Sequence, residues 1–432
     1  MSETARTVRV DLLTRVEGEG ALTLRLRDQQ VAAVELNIFE PPRLFEAFLR
    51  GRRLEETPDI TARICGICPV AYQMSAVHAL EAALGVPISP ELRTLRRLLY
   101  CGEWIESHAL HIHLLHAPDF FGCASGVELA RVQPEALRRG LLLKKYGNQI
   151  VEVLGGRAVH PINVAVGGFY RAPPREALAA LVPALQWGLS AAIETVHWTA
   201  NFDFPDVQHD YTFVALHHDD EYAMNEGRIV SSRGLDIPPG QFLHHFAERQ
   251  VPHSTALHAV LRDTGQTYLV GPLARMALNH AQLRPQARAL AAAYGLDRPC
   301  FNPYRSIVAR AIEVVQAYEE ALDIVQHYRP PAEPRVRYTP RAGHGAAATE
   351  APRGLLYHDY AVDADGRLAS ARIIPPTSQN QAQIERDLWQ LAQRLLPTDD
   401  ARLATACEQA VRNYDPCISC STHFLKVHIE RG

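Results

Sequence analysis

The spacing of hydrophobic positions changes several times along the chain. Residues 8–13 and 22–26 alternate or run apolar around Gly18 and Gly20, which predicts a β-hairpin. From Leu44 the spacing turns helical through Phe45, Phe48 and Leu49 and stops at Gly51. Pro69, the apolar-periodic run 72–84 and Gly85 predict a well-punctuated helix, with proline in its first turn and glycine after its last. Ser89-Pro90-Glu91 opens a longer helix that runs to about His116, ahead of Pro118. Helical spacing also covers 175–200, 285–294, 307–327, 379–395 and 400–413. Residues 210–216 and 228–232 read as strands within a small β-containing excursion over 200–275, and the Pro- and Gly-rich stretch 330–354 reads as a long loop. No internal repeat is visible. The pattern predicts an α+β, predominantly helical protein, with a central helix bundle and small peripheral β-containing parts.

Composition narrows the class. The 432 residues are 47% hydrophobic and 21% charged, as in a globular protein long enough for a sizeable core. A formal net charge of −4 argues against nucleic-acid binding. Residues 1–15 are polar and mixed in charge, unlike an export signal, and no window reaches the ~20 uninterrupted apolar residues of a membrane helix. The expectation is a cytoplasmic protein with no membrane insertion. In that setting the eight cysteines (Cys65, Cys68, Cys101, Cys123, Cys300, Cys407, Cys417, Cys420) read as ligands or buried thiols rather than disulfides.

Four of them form two pairs near the chain's ends: Arg63-Ile64-Cys65-Gly66-Ile67-Cys68, and Asp415-Pro416-Cys417-Ile418-Ser419-Cys420 followed by His423. Thiolates brought from so far apart imply a buried metal site closed by folding, and such soft ligands suit nickel, zinc or low-valent iron. A zinc ribbon would set its pairs roughly 15–20 residues apart. A four-cysteine zinc site remains open on ligand type, although neither pair has a glycine-rich knuckle. Cys68 is expected at a helix N-terminus, where the dipole favours thiolate. His108, His111, His113 and His116 share a helix but fall on more than one face, which favours lining and core roles over a metal site.

With these flanking residues the chain resembles the large, catalytic subunit of nickel–iron hydrogenases, which carries an early R-I-C-G-x-C pair and a C-terminal D-P-C-x-x-C-x-x-H. Matching segments run in order from about Arg15 to His423. The resemblance implies one hydrogenase large-subunit domain over 1–423, its bundle holding the metal site, and a cleavable tail over 424–432. Cys65 and Cys417 would bind nickel terminally, and Cys68 and Cys420 would bridge nickel and iron. The iron would carry carbon monoxide and cyanide. Ala351-Pro352-Arg353-Gly354 and Pro375-Pro376-Thr377-Ser378-Gln379-Asn380 match the family's pocket motifs. Pro352 and Pro376 would supply apolar wall, and Arg353 and Thr377 would donate to cyanide. The family arginine also stands over the open nickel–iron position, and Asp119, in His116-Ala117-Pro118-Asp119, matches an acidic residue that pairs with it.

Arginine is a poor proton acceptor, so Cys417 ranks first as base. Glu17, in Arg15-Val16-Glu17-Gly18, matches a glutamate near the first cysteine of the C-terminal pair and is the expected first relay. A magnesium site is implied as well, from Glu46 in Arg43-Leu44-Phe45-Glu46, His423 and a backbone carbonyl near Ile373; Leu44 stands where glycine is usual. By residue type alone, Asp119 equally fits a helix cap, Glu17 an exposed turn and Glu46 a solvated charge. The segments His160-Pro161, Gly167-Gly168 and Tyr268 to Arg275 strengthen the match. Tyr72 and Glu19 replace histidines common in the family.

The implied reaction is reversible oxidation of hydrogen to two protons and two electrons. The chain has no iron–sulfur cysteine pattern and no GxGxxG fingerprint, so electrons must leave through a small iron–sulfur subunit. The segments CPVAYQ and HAPDF look most like the cytosolic, NAD(P)-coupled bidirectional (sulfhydrogenase-type) branch. Its partners would be diaphorase-type flavin and cluster subunits, and a maturation protease acting on the tail. The alternatives are a hydrogen-sensing regulatory subunit and an acceptor that is a deazaflavin or a heterodisulfide-linked partner.

Overall fold

A computed structural model describes residues 5–40 and 44–422. The helices Pro90–Leu110, Pro134–Gly155, Val182–Ala200 and Ser306–His327 pack on one another and bury Leu95, Leu98, Ile150, Val196, Ile307 and Ile312 between them. Each such side chain contributes about 1.5–3 kcal/mol on burial. The first two helices meet backbone to backbone. A Cβ added at Gly147 would lie 2.7 Å from both the Gly102 carbonyl and the Glu106 amide. The hydrophobic spacing does not predict Pro134–Gly155, because its glycines, which let the helices touch, break the apolar stripe.

The expected helix to His116 is α-helical to Leu110, widens to a π-turn over His111–His116 and resumes over Ala117–Phe120. The four histidines are core residues, as their spread over the helix predicts. His113 stacks on Trp198 with ring centroids 5.2 Å apart, and Gly140 leaves it room. Burial pushes His108 down to about 4 and His113 to about 3, so both are neutral. The stretch Arg175–Ala200 is apolar enough by composition to cross a membrane. It is interrupted after Ala179 and packs Leu185, Ala192 and Val196 into the bundle.

The expected loop over 330–354 is corrected in its second half. Gly343–Ala351 is a strand, antiparallel to Gly354–Val362, which in turn pairs with Leu368–Ile374. Its glycines and alanines read as loop, yet they are small because the helix Pro69–Leu84 lies directly across them. A Cβ at Gly345 would stand 2.3 Å from the Ala79 carbonyl oxygen. The expected hairpin forms from Ala5–Val10 and Gly20–Arg27 and gains Gln30–Ile38. Ser254–Leu261 joins that sheet parallel to Gln30–Ile38 and carries Phe246–Val251 at its edge. The excursion over 200–275 is therefore partly woven into the N-terminal sheet. Only Val214–His217, Arg228–Ser231 and Asp236–Ile237 make a small sheet of their own. The helix Pro376–Leu395 packs across Gln30–Ile38 and Ser254–Leu261.

Candidate metal centre

Folding brings the two cysteine pairs together between the start of the helix Pro69–Leu84 and the loop that follows the helix Asp400–Arg412. All four sulfurs are buried and lie within 4.8 Å of one another. Cys65 Sγ is 3.6 Å from Cys417 Sγ, and Cys417 Sγ is 2.8 Å from Cys420 Sγ. Four buried, converging thiols cannot all ionise without a cation. Hydrogen bonds from Cys417, Cys420 and Cys68 hold Cys65 well below the usual thiol range, while burial pushes Cys417 and Cys420 up. A soft divalent metal resolves that conflict, and the donor set fits a nickel–iron pair with two shared sulfurs.

Cys68 is the N-cap of the helix Pro69–Leu84, as expected, but the helix does not aim its N–H groups at the Cys68 sulfur. The Val70 and Ala71 amides donate to the buried Glu103 carboxyl at 2.6 and 3.0 Å. The backbone N–H groups that do face a sulfur are those of Ile67 and Cys68, each 3.3 Å from Cys65 Sγ. Glu103 is a functional neighbour that its place within a helical stretch did not reveal.

The N-terminal motif docks on the second pair. Glu17 bridges to Cys417 as a short parallel pairing, with the Ile418 amide donating to the Glu17 carbonyl at 2.9 Å. This brings Cys417 Sγ 3.0 Å from Glu17 Oε2, which also accepts from the Ser419 amide at 3.2 Å. Burial, and after it the charge on Cys65, raises the Glu17 pKa above the usual carboxylate range. Glu17 is thus a half-buried carboxyl in hydrogen-bond contact with a cysteine sulfur, not an exposed turn residue.

Arg353 stands in the tight turn between two strands and donates from Nε to the Asp415 carbonyl at 2.9 Å and from Nη2 to Asp415 Oδ1 at 3.2 Å. Burial opposes its charge, but Asp415 and the cysteine sulfurs keep it protonated. Its Nη1 is buried and has no hydrogen-bond partner among the described residues. That is the donor an anionic ligand beside the sulfurs would require. Pro352, Pro376 and Thr377 are buried alongside, and Thr377 Oγ1 accepts from the Cys417 amide at 2.9 Å, leaving its own O–H to donate.

Asp119 is a correction. It pairs with Arg15, and Arg412 Nη1 lies 3.5 Å away; the acid beside Arg353 is Asp415. Arg15 sits at φ 59°, and its Nη1 also donates to the Leu115 carbonyl, within the π segment, at 2.9 Å. Asp415 lies inside the cysteine motif itself, and that adjacency was the available signal. Arg275 was also missed as a functional residue. It donates to Glu313 (2.7 Å), Glu350 (2.9 Å) and the Ala351 and Pro352 carbonyls (3.0 and 2.9 Å), and so fixes the turn that presents Arg353.

Glu46 Oε1 accepts from the Ile373 amide at 2.8 Å, which sets it beside the Ile373 peptide whose carbonyl was expected as a magnesium partner. His423 and the tail over 424–432 lie outside the described residues. Leu44 adopts φ 57°, the left-handed conformation that explains why glycine is usual there. Tyr72 is fully buried, and burial, then the charge of Cys420, Cys68 and Cys417, holds its phenol protonated. Glu19 is exposed, and its amide donates to Glu40 Oε1 at 2.6 Å.

The nickel-dependent hydrogenase family model matches residues 43–141. The chain is 34% identical over 424 residues to sulfhydrogenase 1 subunit alpha of Pyrococcus furiosus, covering 97% of this chain and 98% of that one. It is 27% identical to the NAD-reducing hydrogenase HoxS subunit beta of Cupriavidus necator, covering 98% and 95%. Among solved structures, an NAD+-reducing [NiFe]-hydrogenase in the H2-reduced state superposes with a TM-score of 0.87 at 27% identity, over 98% of this chain and 100% of that one. The chain belongs to the nickel-dependent hydrogenase large-subunit family. Within it, the buried four-cysteine site marks the catalytic subunit of a nickel–iron hydrogenase.

Proposed function

We propose that this subunit oxidises hydrogen reversibly and passes the electrons, through a small iron–sulfur subunit and diaphorase-type flavin and cluster subunits, to NAD(P). The observation that carries the reading is the contact between Cys417 Sγ and Glu17 Oε2, which gives a buried metal site an exit for protons. The similarity to a sulfhydrogenase alpha subunit and to an NAD+-reducing enzyme supports the acceptor. The setting would be cytoplasmic, and a maturation protease would act on the tail over 424–432.

In this reading Cys65, Cys68, Cys417 and Cys420 would hold a nickel–iron centre, Cys65 and Cys417 on nickel and Cys68 and Cys420 shared with iron. That centre, with carbon monoxide and cyanide on iron, would supply the redox chemistry for splitting hydrogen. Cys417 Sγ would hold each of the two released protons in turn and hand it to Glu17 Oε2, 3.0 Å away. The raised pKa of Glu17 brings it nearer the thiol's, so the transfer is closer to balanced than to an ordinary carboxylate. Arg353, held by Asp415, offers Nη1 to an iron-bound anion, and Thr377 offers its hydroxyl. Pro352 and Pro376 exclude water there without adding a donor. Glu46, the Ile373 carbonyl and His423 would hold a magnesium ion that ties the C-terminal segment to the sheet. Asp119 orders the Arg15 and Arg412 side chains behind the Glu17 loop instead of touching Arg353.

The test is hydrogen-dependent reduction of NADP+, NAD+ and a viologen dye by the complex purified from its source. Nicotinamide reduction is the expected outcome. Dye reduction alone would overturn the acceptor and leave the hydrogenase standing.

A further inference from the structure

Away from the cysteines, three side chains from two elements converge. His253 lies in the turn between the strands Phe246–Val251 and Ser254–Leu261, His258 lies within the second strand, and Glu385 comes from the helix Pro376–Leu395. One ligand atom from each falls within 4.8 Å of the others. His253 Nε2 is 2.7 Å from Glu385 Oε1, and His258 Nε2 is 4.0 Å from the same oxygen. His258 is 5% exposed, and its Nε2 has no hydrogen-bond partner among the described residues. We propose that His253, His258 and Glu385 form a second metal site, for a zinc-class divalent ion, with the remaining coordination position left to water.

The chemistry fits. A tetrahedral ion with bonds of about 2.0–2.1 Å separates its ligand atoms by roughly 3.4 Å, so one contact opens and the other closes by about 0.6–0.7 Å. A buried imidazole nitrogen without a partner is costly, and a cation is the partner that suits an acceptor lone pair. The ligand oxygen itself, Glu385 Oε1, also accepts from the Leu36 amide at 2.8 Å, an outer-shell contact that fixes the carboxylate and leaves a second lone pair for the metal. Two imidazoles and one carboxylate select zinc or cobalt over magnesium or calcium, which prefer all-oxygen shells. Occupancy would pin Ser254–Leu261, Gln30–Ile38 and the helix Pro376–Leu395 to each other without involving the cysteine site.

The test uses the intact complex, stripped with a chelator that leaves nickel and iron in place and titrated with Co2+. Wild type should take up one more Co2+ per large subunit than His258→Gln or Glu385→Gln, with the visible absorption of tetrahedral cobalt, while all three keep their nickel and hydrogen activity. Equal uptake by wild type and nickel-retaining variants would overturn the site. Should a variant fail to assemble, anomalous diffraction at the zinc edge from wild-type crystals soaked in Zn2+ decides. A peak among the three side chains supports the proposal, and no peak at saturating Zn2+ overturns it.

Discussion

In the proposed function Glu17 and Cys417 carry the chemistry, and their contact depends on a backbone bridge between residues from opposite ends of the chain. Glu17→Gln keeps the size and the acceptor oxygen but cannot take a proton. We expect unchanged nickel and iron content with turnover reduced about 100-fold or more, the range for loss of a general acid–base group. Metal analysis beside dye-linked activity checks it, and near-normal turnover would place the relay elsewhere. At this scale the sequence was legible where a motif supplied both residue and neighbour, as for the cysteines and Glu17. It misled where a contact partner had to be chosen among several charges. Asp119 has two arginines from distant segments, Arg15 and Arg412, while Arg353 takes the acid immediately before Pro416. Spacing along the chain carries no information about such a choice. Arg275, whose buried ion pairs hold the Arg353 turn, ends a segment that matched the family, but nothing in that match pointed to its partners.

Among the elements, those bounded by proline and glycine were placed closely by pattern. The helix Pro69–Leu84 has Pro69 at its first position and Gly85 at its C-cap in left-handed conformation. Elements whose partner demands small residues were not legible. Gly343–Ala351 lies against the backbone of that helix, so its composition reports the close approach and conceals the strand. The opposite case is Leu44, a branched residue at φ 57° before the short helix Phe45–Leu49 that carries Glu46. A left-handed non-glycine residue costs about 1–2 kcal/mol, partly offset in a glycine variant by the greater entropy of the unfolded chain. Leu44→Gly should therefore raise the denaturant midpoint, with a gain of up to about 1 kcal/mol. A lowered midpoint would mean that contacts of the Leu44 side chain outweigh the strain.

Over the whole molecule, the bundle buries carboxyl groups that ordinary surface chemistry would leave ionised. Glu106 is buried beside Lys144, yet burial pushes its pKa up to about 7, and Glu350 is pushed up to about 7 in the same way. In the unfolded chain such groups ionise near 4.5, so between about 4.5 and 7 the folded state holds more protons than the unfolded one. Stability then falls as pH rises through that window and levels off above it, by on the order of 3 kcal/mol for a shift of this size. Glu106→Gln should flatten part of that slope in denaturant midpoints measured against pH; an unchanged slope would contradict the assignment. The global architecture was legible as a helix bundle around two cysteine pairs, because long amphipathic helices and the pairs' flanks are local signals. Nothing local announced that strands from 246–261 would complete the N-terminal sheet, since that pairing joins segments more than two hundred residues apart. The central claim is that the two ends of the chain close around nickel. The direct measurement is nickel content together with hydrogen–deuterium exchange between H2 and solvent, compared between wild-type complex and Cys417→Ser. Wild type should show stoichiometric nickel and exchange, and the variant should lose both; a nickel-loaded, exchange-competent Cys417→Ser enzyme would exclude Cys417 as a nickel ligand.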